Sequence, residues 1–115
     1  MKKIYVTYYT KEKGKLEFDK KEWIDFPYSS FTFHREDGPA VIYSDGSKEY
    51  WLNGKYHRED GPAIVYANGD QEYYWLNDIF YLEKDYYKKL EEIDNLPLSL
   101  KLIHEEEWIR KRAKK

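Results

Sequence analysis

One seven-residue word occurs twice in this chain. His34-Arg35-Glu36-Asp37-Gly38-Pro39-Ala40 returns as His57-Arg58-Glu59-Asp60-Gly61-Pro62-Ala63. A fixed period of this size means that the chain stacks copies of one supersecondary unit, which constrains the fold more than any composition could. The phase (34 to 57) continues through Tyr43/Tyr66, Gly46/Gly69, Glu49/Glu72 and Tyr50/Tyr73. One extra residue, Tyr73 or Tyr74, then precedes Trp75-Leu76-Asn77, the counterpart of Trp51-Leu52-Asn53. An added residue inside a strand predicts a β-bulge at that point. A worn copy lies upstream, with Val6-Thr7-Tyr8-Tyr9 matching Val41-Ile42-Tyr43 and Glu22-Trp23-Ile24-Asp25 matching the Glu/Trp/Leu/Asn segment. The insertion Phe26-Pro27-Tyr28-Ser29-Ser30 lengthens its connection to His34.

The unit reads as strands and tight turns. Ala40-Val41-Ile42-Tyr43 is a β-branched and aromatic run, and Ser44-Asp45-Gly46-Ser47 carries the Asp-Gly pair that tolerates positive φ. Lys48 to Leu52 returns as a strand, and Asn53-Gly54 is a further hairpin signal. At Asp37-Gly38-Pro39, glycine suits the restricted position before proline, which can open a strand without losing a ladder bond. Turns this frequent leave no room for a helix between Tyr5 and Leu82. Beyond that point the period changes. Leu82, Tyr86, Leu90 and Ile93 fall at i, i+4, i+8 and i+11, one face of a helix that ends at Asp94-Asn95-Leu96-Pro97. A second helix is expected over 98–113, with Leu98, Leu102, Ile109 and Glu105 or Glu106 along its inner stripe and Trp108 on its flank. A repeat stack that simply stopped would expose an unpaired edge, so these helices are expected to act as a cap. The opposite edge, near residues 4–18, is left for homodimerisation.

Asn53-Gly54-Lys55-Tyr56-His57, then Gly61, then Ile64-Val65-Tyr66-Ala67-Asn68-Gly69 and Tyr73-Tyr74-Trp75 resemble the MORN repeat, whose period is the same. The resemblance covers residues 34–80 well and 4–33 weakly. Two departures mark the chain as MORN-like: His-Arg-Glu-Asp-Gly stands where the family usually has His-Gly, and Tyr50-Trp51 and Tyr73-Tyr74 replace the glycine between the aromatics. The resemblance implies an elongated, twisted antiparallel meander used for protein contacts, sometimes credited with lipid contacts, and without enzymatic activity. The variant arrays are similar to those of phage and giant-virus proteins of uncharacterised function, which implies a viral origin. The expected fold class is therefore α+β: a twisted antiparallel β-meander of MORN-like hairpin repeats capped by two C-terminal α-helices. The 115 residues form one domain, divided into a degenerate repeat at 4–33, repeats at 34–56 and 57–80, and a helical cap at 82–114.

Composition narrows the function. With no cysteine, neither disulfides nor thiolate metal sites are available, which favours a reducing cytoplasmic compartment. The first residues are too polar for a signal peptide, and a mean hydropathy of −0.99 leaves no membrane-spanning stretch. Twenty basic against 22 acidic side chains argue against affinity drawn mainly from phosphate neutralisation. Aromatic residues make up 19 % of the chain, enough both to build a core poor in Leu and Val and to supply binding hot spots.

His34, Arg35, Glu36 and Asp37, with their second copy, contain the ingredients of a metal site or of general acid–base work. Neighbours in an extended chain point to opposite faces, however, and a motif present in every copy suits structure better than a single active centre. Asp37 and Asp60 are expected to set turns, and Arg35 and Arg58 to pair with carboxylates of the adjacent repeat. No phosphate-cradling loop or nucleophile elbow is present; Ser29, Ser30 and Ser99 have no histidine–acid partner in sequence, and His104 lacks a second histidine at position 108. The tail Arg110-Lys111-Arg112-Ala113-Lys114-Lys115 reads as helix-end charge.

The expectation is a non-enzymatic protein-interaction module with no cofactor and no metal: a small viral accessory or counter-defence protein that inhibits or redirects a host factor. Tyr50, Trp51, Tyr73 and Trp75 would anchor the partner, with Arg35, Glu36, Arg58 and Glu59 orienting it. Two alternatives belong to other classes. One is a nucleic-acid or nucleotide binder that stacks bases on its rings and contacts phosphate through the tail. The other is a metal-dependent hydrolase built on the repeated histidines and acids.

Overall fold

The computed structural model describes residues 3–69 and 72–94. Its elements in chain order are β1 (Val6–Thr10), β2 (Gly14–Phe18), α1 (Lys20–Ile24), a 3-10 turn (Tyr28–Ser30), β3 (Val41–Tyr43), β4 (Lys48–Glu49), β5 (Trp51–Leu52), β6 (Lys55–Tyr56), β7 (Ile64–Val65), β8 (Glu72–Leu76), β9 (Ile79–Tyr81) and α2 (Glu83–Asp94). Among the described residues the strands form a seven-stranded sheet in the order β2-β1-β3-β4-β7-β8-β9, with β5 and β6 as a two-stranded hairpin. All pairings are antiparallel. The described residues thus form an α+β fold with a multi-stranded antiparallel sheet and two helices.

The two clear copies make the same backbone bonds. Arg35 N–H donates to the Trp51 carbonyl at 3.1 Å and Arg58 N–H to that of Trp75 at 3.2 Å; Ala40 N–H reaches Glu49 O at 2.9 Å and Ala63 N–H reaches Tyr73 O at 2.8 Å. Val41 lies opposite Glu49 and Ile64 opposite Tyr73. Glu49 therefore corresponds to Tyr73, and Tyr50 to Tyr74. The Glu49/Glu72 and Tyr50/Tyr73 matches of the sequence do not survive in the ladder. The extra residue therefore precedes Glu72 in the sequence, and Glu72–Leu76 is a regular strand in place of the bulge expected at Tyr73 or Tyr74.

The N-terminal third follows the same template with an insertion. Tyr9 N–H donates to Ala40 O (2.8 Å) as Tyr50 N–H does to Ala63 O (2.7 Å), and His34 N–H reaches Tyr9 O as His57 N–H reaches Tyr50 O, both at 3.0 Å. The Thr10–Phe33 bridge repeats the Trp51–Tyr56 pair. So β1 corresponds to the returning strand β4–β5 and not to 41–43. Where the second unit turns tightly at Asn53-Gly54, the first inserts residues 12–31. The Glu12 carboxylate ties the insertion's ends, accepting from Thr32 N–H (2.7 Å) and Oγ1 (2.8 Å). The backbone bond, and then the hydroxyl, hold its pKa below the usual value.

Within the insertion, residues 22–25 are not a strand. Asp19 caps α1 by accepting from Glu22 N–H (2.8 Å), and the Glu22 carboxylate accepts from Asp19 N–H (3.0 Å). This reciprocal capping box satisfies two orphan donors and sets a helix where repeat phase alone left no room for one.

Strand alternation gives the sheet two faces. Tyr8, Val41, Glu49, Trp51, Tyr73 and Trp75 share one, the ring face; Tyr9, Tyr50, Leu52, Tyr74 and Leu76 share the other, the clamp face. Among the described residues, each is covered at one end only. The insertion packs on the ring face at the N-terminal end, where Val6, Tyr8, Phe26 and Val41 are buried and Trp23 Nε1 donates to the Tyr8 hydroxyl at 2.6 Å. Helix α2 packs on the clamp face at the other end, burying Tyr86, Leu90 and Ile93 against Leu52, Tyr74 and Leu76. Three of the four expected stripe residues are buried; Leu82 precedes the helix and stays 62 % exposed. The second helix expected over 98–113, together with Ser99, His104, Trp108 and the tail 110–115, lies outside the described residues.

Candidate functional site

The duplicated word builds a compact knot in both copies. Arg35 Nε donates to Asp37 Oδ1 at 3.0 Å and Nη1 to the Pro39 carbonyl at 3.1 Å; Arg58 reaches Asp60 Oδ1 at 2.9 Å and Pro62 O at 3.0 Å. Each guanidinium lies 4.0 Å from a tyrosine ring centroid of the preceding strand, Tyr9 for Arg35 and Tyr50 for Arg58. The fork therefore meets a carboxylate, a carbonyl and a π-face at once. A Cβ at Gly38 would sit 3.1 Å from Arg35 Cζ, and one at Gly61 3.0 Å from Arg58 Cζ, so the close backbone approach explains the glycine. The arginines pair with the aspartate of their own turn, not with carboxylates of the adjacent repeat as expected.

The histidines tie one unit to the next. His34 Nδ1 accepts from Asn53 N–H at 2.9 Å and His57 Nδ1 from Asn77 N–H at 3.0 Å. Both asparagines have positive φ, 54° and 55°, and are followed by residues with φ of 77° (Gly54) and 70° (Asp78). These are the mirror-image turns that match strand twist. With Nδ1 accepting, the imidazole proton of His57 sits on Nε2, which donates to Glu59 Oε2 at 2.9 Å. That pair is buried, with side-chain exposures of 5 % and 8 %.

The eight residues expected to contact a partner do not form one surface. Arg35, Glu36, Tyr50, Arg58 and Glu59 line a groove of ≈ 340 Å³ between the two knots on the clamp face, with Leu52 and His57. Glu36 is exposed to solvent there, and the arginine heads, the Tyr50 ring and Glu59 are engaged by the contacts just described. Trp51, Tyr73 and Trp75 lie on the ring face, in a row that runs Phe33–Trp51 (5.4 Å), Trp51–Tyr56 (3.9 Å), Tyr56–Trp75 (5.1 Å) and Trp75–Phe80 (5.7 Å). Tyr73 extends it to Phe80 (5.8 Å) and Tyr66 (6.2 Å). Inside the row, Trp51 Nε1 donates to Glu49 Oε1 at 2.9 Å, and burial pushes the Glu49 pKa up against that bond. Burial, then the neighbouring Glu49 charge, pushes Tyr56 up to about 12.

Sequence reasoning did not single out Tyr66 and Phe80, which are 44 % and 46 % exposed where the row leaves the cover of the insertion. Alternation in β8 and its hairpin partner was the available signal, since Tyr73, Trp75 and Phe80 fall on one face once the register is known. Among the described residues, no three His, Asp or Glu side chains converge as a metal site, and no helix is long and apolar enough to cross a membrane.

Neither a family model, nor a curated protein, nor a solved structure matches this chain.

Proposed function

We propose that the chain is a non-enzymatic protein-interaction module of MORN-like hairpin repeats, in which α2 caps the clamp face and the open end of the ring face receives the partner. The observation that carries this reading is the row Tyr66, Tyr73, Trp75 and Phe80, two of whose rings are close to half exposed while α2 covers only the opposite face. Aromatic rings give large contact area at little entropic cost, and they dominate interface energetics. The engagement of both guanidinium groups in their own turns weighs for protein contact over phosphate contact. The resemblance of the His-Arg-Glu-Asp-Gly-Pro-Ala arrays to those of phage and giant-virus proteins favours a small viral accessory role in the cytoplasm, blocking or redirecting a host factor.

The test is affinity capture with quantitative mass spectrometry from the native host, using wild type and the double variant Tyr73→Ala/Phe80→Ala. A stoichiometric partner retained at high salt and lost from the variant, whose thermal stability is checked in parallel, is the expected result. Absence of any stoichiometric partner would overturn the reading, as would a partner bound equally by both proteins.

A further inference from the structure

We infer that β2 is a self-complementary edge through which two copies of this chain pair in one defined antiparallel register, Lys15 opposite the second copy's Glu17. This edge is separate from the surface offered to a partner, whose rings lie at the other end of the sheet.

Three observations carry it. First, among the described residues β2 ends the strand order, next to β1 alone. Second, the direction of its backbone groups follows from its neighbour. Tyr9 uses both its N–H and its C=O on the β3 side, with Ala40 and His34. Alternation then turns Val6, Tyr8 and Thr10 toward β2, and their partners Phe18, Leu16 and Gly14 back toward β1. The backbone groups of Lys15 and Glu17 consequently point outward. Third, these two residues carry opposite charges, two positions apart on the same face, with side chains 55 % and 48 % exposed and 3.9 Å apart.

An antiparallel pair related by a two-fold axis must match outward-facing residues with outward-facing residues. Around β2 this permits axes through Lys15, Leu16 or Glu17. An axis at Lys15 sets lysine against lysine, and one at Glu17 sets glutamate against glutamate. Only the axis at Leu16 brings Lys15 opposite Glu17 twice over, as hydrogen-bonded pairs, with the two Leu16 side chains meeting at the close, non-hydrogen-bonded position. Leu16 is already half-buried against the Val6–Tyr8–Phe26–Val41 cluster, so the contact extends that core across the axis. Lys13 and Asp19, just beyond the strand ends, fall in the same register. Edge strands are often protected by charged side chains, lysine above all. Here the two signs reject two registers and favour the third, joining two sheets into one.

Sedimentation analysis of the full chain over a range of concentrations tests this with Lys15→Glu, Glu17→Lys and the double swap. Wild type is expected to dimerise weakly, each single variant to raise the dimer Kd by about tenfold or more, and the double swap to restore it. An equimolar mixture of the two single variants is expected to dimerise where neither does alone. Monomeric wild type at every concentration would overturn the proposal, and so would a dimer indifferent to the single substitutions. Partner capture unaffected by these variants, with dimerisation lost, separates this result from the ring-face reading.

Discussion

The two copies of the repeat share their knots and differ in what lies against them. In the first, Arg58 closes the unit by stacking on Tyr50; in the second, the corresponding ring is Tyr74, and Leu82 stands at the position a third arginine would take. Tyr86 of α2 takes the place, with ring centroids 4.9 Å apart. Its hydroxyl donates to the Arg58 carbonyl and accepts from Gly61 N–H at 3.2 Å. Burial pushes that hydroxyl up to about 12, so it remains a donor at any ordinary pH. The end of the array is thus closed by a neutral phenol inside a core, where the interior is closed by a cation at its margin. A repeat that stacks on a copy of itself can use a partly exposed arginine. One that stacks on a helix must bury what it uses.

This contrast predicts unequal costs. Tyr86→Ala removes a fully buried ring and both of its hydrogen bonds, for an expected loss of about 3–5 kcal/mol. Arg58→Ala, partly exposed, is expected to cost about 1–2 kcal/mol. Paired thermal and denaturant unfolding measures the difference; equal losses would mean that α2 does not close the array.

Much of this was legible in the sequence, and the failures have physical causes. Residues 34–40 and 57–63 recur because one knot is needed twice, and Asn53-Gly54 announces its turn because few residues accept positive φ at both positions. The α2 stripe was readable because Tyr86, Leu90 and Ile93 share one helical face. Helix α1 was missed because repeat phase outweighed a local signal: Asp19 and Glu22 already spelled a capping box. The misplaced extra residue arose because Glu72 and Tyr73 happen to match Glu49 and Tyr50, and identity says nothing about a ladder. The eight candidate contact residues were chosen by type, whereas faces are set by register, which a one-residue slip inverts.

The histidines sharpen the comparison further. His57→Leu removes the Nδ1 acceptor of Asn77 N–H and the Nε2 donor to the buried Glu59 carboxylate, for an expected cost of about 2–4 kcal/mol. His34→Leu removes the same acceptor from Asn53, but Glu36 is exposed to solvent, so about 1–2 kcal/mol is expected. Hydrogen exchange at Asn53 and Asn77 reports each loss locally. Equal destabilisation by the two substitutions would show that the buried pair adds nothing.

The smallest effect concerns Glu49, whose place in the second copy is taken by Tyr73. Burial raises its pKa above 4.5, so ionisation disfavours the folded state. The cost is absent below the unfolded pKa, appears as pH rises through the folded value and is complete above it. Glu49→Gln keeps an acceptor for the Trp51 indole and removes the charge. It is expected to stabilise the protein at neutral pH by less than about 1 kcal/mol, because the site is not fully buried. That gain should fade as pH is lowered toward the unfolded value. Tyr73→Gln changes no carboxyl, so its effect on melting temperature should stay flat over the same range. A Glu49→Gln gain that persisted in acid would assign the effect to packing against Trp51, and the two copies would then differ in shape alone.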